Sequence, residues 1–144
     1  MVDDNCLFCR IVSGEVPATL VYVDKNAAAF LDHRPLFHGH TLLVPREHVE
    51  TLVELPQKLV GPFFEAAQTL TRAVEHAMNA EGTFVAMNNR VSQSVPHLHV
   101  HVVPRRRKDG LKGFFWPRTR YKDHAEMLEV KKLIASEIAK IKSQ

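Results

Sequence analysis

Three histidines, His97, His99 and His101, alternate with aliphatic residues in the stretch Gln-Ser-Val-Pro-His-Leu-His-Val-His-Val-Val-Pro. Successive side chains of a strand point to opposite faces, so this spacing predicts a β-strand with one buried aliphatic face and three imidazoles about 7 Å apart on the other. A neutral imidazole binds a metal or attacks an electrophile, and a protonated one donates to phosphate. The alternative is a half-buried strand whose polar face is merely rich in histidine.

A second chemical motif lies near the N-terminus, where Cys6 and Cys9 are separated by two residues. This is the spacing of a zinc half-site, and two imidazoles from elsewhere would complete a Cys₂His₂ set. The same spacing also serves redox pairs, which normally lie at a helix start after a strand, whereas here the chain only enters the domain. A metal-free cysteine pair is the remaining alternative.

These motifs resemble the histidine triad (HIT) family, whose pattern is His-φ-His-φ-His-φ-φ with φ hydrophobic. The resemblance runs over about residues 6–107 and includes Ala-Phe-Leu-Asp ending at Asp32, Gly-His-Thr-Leu-Leu-Val-Pro beginning at Gly39, and Arg-Glu-His ending at His48. It is closest to the small bacterial branch that carries a zinc-type Cys-x-x-Cys. One departure is Ser92, which stands where many members have glycine in a longer loop.

The resemblance implies chemistry at the α-phosphate of a nucleotide. His99 has a triad histidine on both sides, and its neutral ring would attack the phosphorus while its other nitrogen donates to a carbonyl. His101 would donate to the nonbridging oxygens, and His40 would add a second donor. Ser94 would lie on the side of the leaving group, and His97 completes the catalytic set.

The expected nucleotide ligands are polar side chains around this row. Asp32 resembles the family's ribose ligand, because a carboxylate accepts two hydrogen bonds from a vicinal diol. The amides of Asn88 and Gln93 and the hydroxyl of Ser94 would reach a phosphate. We therefore expect the nucleotide to contact Asp32, Asn88, Gln93, Ser94, His99 and His101.

For the metal, the resemblance offers two histidines as partners of the cysteines, so the expected structural zinc ligands are Cys6, Cys9, His48 and His97. A catalytic metal held by all three triad histidines is disfavoured. Same-face positions on one strand are about 7 Å apart, which makes it awkward to bring three nitrogens within about 2.1 Å of one ion.

The length and composition limit the class of protein. A chain of 144 residues with 45% hydrophobic and 24% charged residues suits one globular domain, so we expect a single HIT-like domain over residues 1–144. Two cysteines cannot form a disulfide framework, and no apolar leader or membrane-length stretch is present, so we expect a cytoplasmic protein without a membrane partner. The net charge of +3 fits an anionic ligand but does not demand nucleic acid.

The hydrophobic pattern predicts an α+β fold, an antiparallel β-sheet with one long helix packed on it and a C-terminal helix. Strands are expected at 19–23, 27–31, 40–44, 83–87 and from residue 98 onward. The long amphipathic helix is expected within 56–80, beginning near Val60 and stopped by Gly82, and the C-terminal helix over about 123–142. The resemblance also implies a homodimer, with the long helix and the aromatic residues Phe114, Phe115 and Trp116 as interface candidates.

The predicted function is a nucleotide hydrolase that forms a nucleotidyl-histidine intermediate. The resemblance implies purine substrates of three kinds: nucleoside phosphoramidates, acyl-nucleotides and dinucleoside polyphosphates. A nucleotidyltransferase or phosphorylase on dinucleoside polyphosphates, and a nucleotide-binding regulatory module with negligible turnover, remain alternatives. The basic run Arg105, Arg106, Arg107 and Lys108 is either a solvated face or an electrostatic attraction for polyphosphates.

Overall fold

A computed structural model of the protein describes residues 3–111 and 118–144. Two compact units make up the chain, Met1–Asp109 and Gly110–Gln144. The interpretation of residues 1–144 as one domain stays a prediction, and the aromatic residues 114–116 lie outside the described ranges. No helix in those ranges combines the length and apolar composition needed to cross a membrane.

The first unit is built on a five-stranded antiparallel sheet in the spatial order β1-β2-β3-β5-β4. Its strands are β1 (Leu20–Val23), β2 (Ala27–Leu31), β3 (Thr41–Pro45), β4 (Gly82–Ala86) and β5 (Val100–Arg105). The turn between β1 and β2 is closed by the Asp24 carboxylate, which accepts from the backbone N–H groups of Asn26 and Ala27 at 2.7 Å. The predicted α+β class with an antiparallel sheet is confirmed.

The triad strand begins later than predicted. Regular pairing of β5 starts at Val100, because Leu98 donates its N–H to the carbonyl of Val49 in a loop rather than to a neighbouring strand. The alternation of faces nevertheless holds. Leu98, Val100 and Val102 are all fully buried on one side of the sheet, in the core that also contains the long helix.

The long helix α2 (Gln57–Ala77) packs its apolar stripe against the sheet, as predicted. Both of its predicted ends were wrong. The helix starts at Gln57, before Val60, so Pro62 is its sixth residue and not part of the first turn. Proline is tolerated there because it removes a single helical hydrogen bond, the one to the carbonyl of Lys58. It ends before Gly82 because Asn79 adopts a left-handed φ of 48°, which allows the reversed hydrogen bonds typical of a helix C-terminus.

The other face of the sheet is covered by a short helix that the sequence did not predict, α1 (Leu7–Val12). The Sγ of Cys6 accepts from the backbone N–H of Cys9 at 3.4 Å and so caps this helix. Phe8, Cys9 and Ile11 then pack with Phe30 and Leu42 of the sheet. The central strands are therefore buried on both sides, one side by α2 and the other by the cysteine-bearing segment, whereas the edge strand β1 is exposed.

The second unit contains helix α3 (His124–Lys142), close to the predicted range 123–142. The carboxylate of Asp123 caps its start by accepting from the N–H of Glu126 at 2.8 Å. Most of its apolar side chains are exposed, among them Leu133, Ile134, Ile138 and Ile141, and Val130 is partly buried. The sequence thus specifies an amphipathic helix.

Candidate active site

The sheet register places the third triad histidine at the centre of the fold. His101 pairs with Leu42 on β3 and with Ala86 on β4, and Leu42 in turn pairs with Phe30 on β2. Paired residues share a face, so these side chains all point to the side covered by α1. His99 lies just before the strand on the same side, and its ring centroid is 5.1 Å from that of His101.

A cavity of about 570 Å³ opens beside these two rings, a volume suited to a small organic ligand. Its apolar lining comes from the N-terminal segment, the sheet and the loop before β5: Leu7, Phe8, Ile11, Val16, Pro17, Ala18, Phe30, Leu31, Leu42 and Val95. Its polar lining residues are Thr19, Asp32, His33, Ser94, His99 and His101. A largely apolar wall with a few polar side chains suits a ligand that combines an aromatic base with a phosphate.

The ring of His99 is held in one orientation by the backbone. Its Nδ1 lies 2.8 Å from the carbonyl oxygen of His97, which can only accept, so Nδ1 carries a proton and the neutral ring has its lone pair on Nε2. Phe8 packs edge-on against the imidazole, with ring centroids 5.1 Å apart. The hydrogen bond that a fixed nucleophilic tautomer requires is therefore present.

His101, His40 and Asp32 form a second group beside the cavity. The Nδ1 of His101 is 2.9 Å from the Nε2 of His40, which lies 3.7 Å from the carboxylate of Asp32. Burial lowers the pKa of His101 to about 4, and the neighbouring His99 and His40 add to this effect. Burial also lowers the pKa of His40, although Asp32 opposes the shift. Both rings are therefore neutral at neutral pH.

Cys6, Cys9, His48 and His97 converge in a buried cluster that can hold a metal ion. The Sγ atoms of Cys6 and Cys9 lie 3.3 and 3.5 Å from the Nδ1 of His97, and the Nδ1 of His48 lies 3.3 Å from both Cys9 Sγ and His97 Nδ1. Around tetrahedral zinc, with bonds of about 2.3 Å to sulfur and about 2.0–2.1 Å to nitrogen, two nitrogens are about 3.3–3.4 Å apart and a sulfur and a nitrogen about 3.5–3.6 Å apart. The donor set and its spacing fit zinc.

The histidine tautomers in this cluster also suit a cation. The Nε2–H of His97 donates to the carbonyl of Pro45 at 2.8 Å, and burial lowers the pKa of His97 to about 4, so its Nδ1 presents a lone pair. The Nε2 of His48 is 4.0 Å from the carboxylate of Asp3. Burial raises the pKa of the Cys9 thiol, so a metal would have to displace a proton there.

Two expected nucleotide ligands lie in a loop beside the cavity rather than in its wall. The amide of Asn88 donates to the carbonyl of Ser92 at 3.1 Å. Gln93 donates to the carbonyl of Glu50 at 2.6 Å and accepts from the N–H of Arg90 at 2.7 Å. The structure thus engages both amides with backbone groups, whereas Ser94 lines the cavity. Ser92 has a φ of 61°, which explains why glycine suits this position.

The basic run after β5 is engaged in local structure. Arg105 binds the carboxylate of Asp109 with two bonds of 2.7 and 3.1 Å, and Arg106 donates to the carbonyls of Met78 and Asn79 at the end of α2. Arg107 is largely exposed and 4.0 Å from Glu81. Within the described ranges, the residues lining the cavity include none of this run.

Several residues of the site were not singled out from the sequence. Phe8 lies between the two cysteines, and an aromatic side chain is costly to expose to water. Its position therefore indicated that this segment packs on the domain. His33 also lines the cavity. The carbonyls of Pro45 and His97 and the N–H of Leu36 give no sequence signal, because every residue has a backbone.

Comparison with known proteins identifies the family. The HIT domain matches residues 13–108, so the chain belongs to the HIT family, as expected. It is 36% identical over 141 residues to Protein hit of Bacillus subtilis, covering 95% of this chain and 94% of that protein. It is 27% identical over 146 residues to adenosine 5'-monophosphoramidase HNT1 of Candida albicans, with coverage of 97% and 95%.

Solved structures agree in fold. Protein SMU.412c of Streptococcus mutans superimposes with a TM-score of 0.86 at 35% identity, covering 94% of this chain and 87% of that one. A zinc-bound histidine triad family protein from Mycobacterium smegmatis has a TM-score of 0.71 at 35% identity, with coverage of 94% and 97%. The Cys-x-x-Cys pair of this chain fits the zinc-type branch of the family.

Proposed function

We propose that the protein is a nucleotide hydrolase that cleaves the α-phosphate bond of nucleoside phosphoramidates and related nucleotides through a nucleotidyl-His99 intermediate. The observation that carries this proposal is the orientation of His99. Its Nδ1–H is tied to a carbonyl at 2.8 Å and its ring borders the cavity, so the Nε2 lone pair is available to a phosphorus atom there. A relative with a phosphoramidase name supports the substrate class.

In the first step, Nε2 of His99 attacks the α-phosphorus, and the bond from phosphorus to the leaving group breaks. The leaving amine or nucleotide takes the electron pair and a proton from solvent water, and the water that attacks in the second step returns a proton to solvent. In the second step, water attacks the same phosphorus, the nitrogen–phosphorus bond breaks, and a nucleoside monophosphate leaves with His99 neutral again. His101 would stabilise the charge on the nonbridging oxygens, and Asp32 and Ser94 would bind the ribose and the leaving-group side.

We also propose that the buried cluster of cysteines and histidines binds one zinc ion, whose contribution is structural. It would link the N-terminal segment to the peptide of His97, the same residue whose carbonyl orients the nucleophile. The two thiols must remain reduced for this, so the proposed setting is the cytoplasm. A zinc-bound relative of similar fold supports the choice of metal.

The central test is to trap the intermediate. Enzyme mixed with adenosine 5'-phosphoramidate and quenched in the cold should gain the mass of one adenylyl group, on the peptide that contains His99. His99→Ala should lose essentially all turnover and still bind nucleotide within about tenfold, because bond formation and binding use different groups. His76→Ala changes an exposed histidine of α2 and serves as the matched control.

An adduct on another residue, or full activity of His99→Ala, would contradict the proposal. Product analysis with and without inorganic phosphate distinguishes hydrolysis from phosphorolysis, because phosphate as acceptor would yield a nucleoside diphosphate. Binding without any turnover of the phosphoramidate would favour the regulatory module instead.

The assembly we propose is a homodimer that uses the outer face of α2. Phe64 on this helix and Val85 on the edge strand β4 are each about two-fifths exposed and line one shallow surface. Light scattering at micromolar concentration should give twice the chain mass of 16.4 kDa. Phe64→Glu should weaken this association, whereas Lys58→Glu, also exposed on α2, should not. A particle of one chain mass would refute the dimer.

A further inference from the structure

Two hydrogen bonds define where the ring protons of His40 and His101 lie. The backbone N–H of Leu36 donates to Nδ1 of His40 at 3.1 Å. An amide N–H can only donate, so Nδ1 of His40 must carry a lone pair, and the single proton of its neutral ring is on Nε2.

The same reasoning continues to the triad. The Nε2 of His40 lies 2.9 Å from the Nδ1 of His101, so His40 donates and His101 accepts. The neutral ring of His101 therefore keeps its own proton on Nε2, the other nitrogen of a ring that borders the cavity. The order of protons runs from a backbone amide through two imidazoles to the substrate site.

We propose that His40 is a positioning residue that fixes the tautomer of His101, so that His101 presents an Nε2–H to the phosphate. That His101 donates to a phosphate rests on the proposed function. The positions of the ring protons follow from the hydrogen bonds alone. It replaces the expectation that His40 donates to phosphate, since both nitrogens of His40 are already in use. Without this donor His101 could turn a lone pair toward the phosphate oxygens, which repels them.

The loop that supplies the Leu36 amide is itself well held. His40 donates its N–H to the carbonyl of Phe37 at 3.0 Å, and Asp32 donates its N–H to the carbonyl of His40 at 3.0 Å. Gly39 takes a φ of 96°, and a Cβ there would lie 2.5 Å from the side chain of Met78. The loop therefore holds the backbone N–H of Leu36 in place beside His40.

Asp32, His40 and His101 also have the residue types of a metal site. A metal on Nε2 of His40 would require the proton on Nδ1, where it would face the Leu36 N–H at 3.1 Å, donor against donor. In the cysteine cluster the situation is opposite, because a carbonyl accepts from His97 and frees the nitrogen that faces the other ligands. At His40 and His101 the hydrogen bonds therefore favour ring protons in fixed positions over a bound metal.

The test uses two substitutions of nearly equal shape. In His40→Gln the side-chain amide can still donate to His101, whereas in His40→Glu a carboxylate can only accept. Long-range ¹H–¹⁵N correlation spectra of histidine-labelled full-length protein at neutral pH report which ring nitrogen of His101 carries the proton. A His101→Gln sample assigns the signals, and kcat and KM are measured on the same preparations.

We expect the proton on Nε2 of His101 in the wild type and in His40→Gln, with kcat of that variant within about tenfold of wild type. His40→Glu should move the proton to Nδ1 and lower kcat by about 10²–10³-fold, the typical loss for one phosphate donor, with KM changing much less. If neither variant folds, the wild-type spectrum alone still decides the tautomer.

Three results would overturn the assignment. They are a wild-type His101 protonated on Nδ1, equal loss of kcat in both variants with an unchanged tautomer, and a second equivalent of Co²⁺ that displaces the Nε2 proton of His40. A wild type that turns over no nucleotide, yet keeps the proton of His101 on Nε2, would instead count against the proposed function and support the proton order.

Discussion

His97 and His101 belong to one row of residues, but the backbone gives their Nδ1 atoms opposite surroundings. At His97 a carbonyl accepts from Nε2, and Nδ1 faces two sulfurs and the Nδ1 of His48 at 3.3–3.5 Å. At His101 the Nδ1 accepts from another imidazole at 2.9 Å, and the next partner is a carboxylate 3.7 Å from that imidazole. In the first arrangement several lone pairs converge on one point, as around a metal ion. In the second, hydrogen bonds run in one direction from ring to ring.

The difference shows that residue types alone do not identify a metal site. Both groups contain histidines together with acidic side chains, cysteines in one and an aspartate in the other, close enough to share an ion. What separates them is one backbone group in each. The carbonyl of Pro45 accepts from Nε2 of His97, whereas the N–H of Leu36 donates to Nδ1 of His40. A carbonyl that accepts from one ring nitrogen leaves a lone pair on the other nitrogen for a metal. An amide N–H that donates to one ring nitrogen leaves the proton on the other, which can then donate a hydrogen bond.

The largest effect we expect is from loss of metal at the cysteine cluster. Cys6→Ala, or treatment with a strong chelator, should lower the melting temperature by about 10 °C or more, since a structural zinc site contributes directly to folding. Turnover per folded molecule should fall less. Elemental analysis should find about one zinc per chain.

The matched change in the other group is Asp32→Asn, which keeps shape and removes only charge. We expect its melting temperature to stay within about 3 °C of wild type, because no metal is held there. Similar losses in both variants, or a metal-free protein whose stability is indifferent to chelator, would break the comparison.

A second effect concerns catalysis and should run in the reverse direction. His101→Ala should lower kcat by about 10²–10³-fold through loss of one phosphate donor, with little change in zinc content. His48→Ala should lose zinc and stability while kcat per folded molecule changes less. Steady-state kinetics and metal analysis on the same samples would measure both, and parallel losses in both quantities would contradict the division of roles.

The smallest effect is the pH dependence that the buried ring of His101 gives to stability. Its pKa is about 4 in the folded chain and near 6.5 when unfolded, so its contribution is complete above pH 6.5 and is lost as the pH falls toward 4. His99, His40 and Asp32 face this ring. We expect roughly 1–3 kcal/mol between those limits by denaturant unfolding.

The control for this measurement is His101→Gln, which cannot titrate and should show a shallower decline, while His97 contributes equally to both proteins. Identical pH profiles of the two would mean that His101 is protonated as easily in the fold as in water.

The sequence by itself determined the family and the sheet with its long helix, and it indicated the residues that the structure brings together in two clusters. Alternation at Leu98, Val100 and Val102 was sufficient because a strand has only two faces, and one of them must be buried. The Cys-x-x-Cys spacing was less decisive, because it also serves redox pairs, and the family resemblance was needed to favour a metal. The helix ends were less predictable, since Asn79 replaces the expected glycine and Pro62 is tolerated inside α2.

Only the tertiary structure decided which nitrogen of each histidine is free. That choice depends on backbone groups brought close from distant parts of the chain, such as the carbonyl of Pro45 against His97 and the amide of Leu36 against the ring of His40. Every residue carries the same amide and carbonyl, so no sequence pattern marks them. Any histidine side chain can bind a metal, accept a hydrogen bond or donate one. The groups that contact its two ring nitrogens in the fold determine which of these it does.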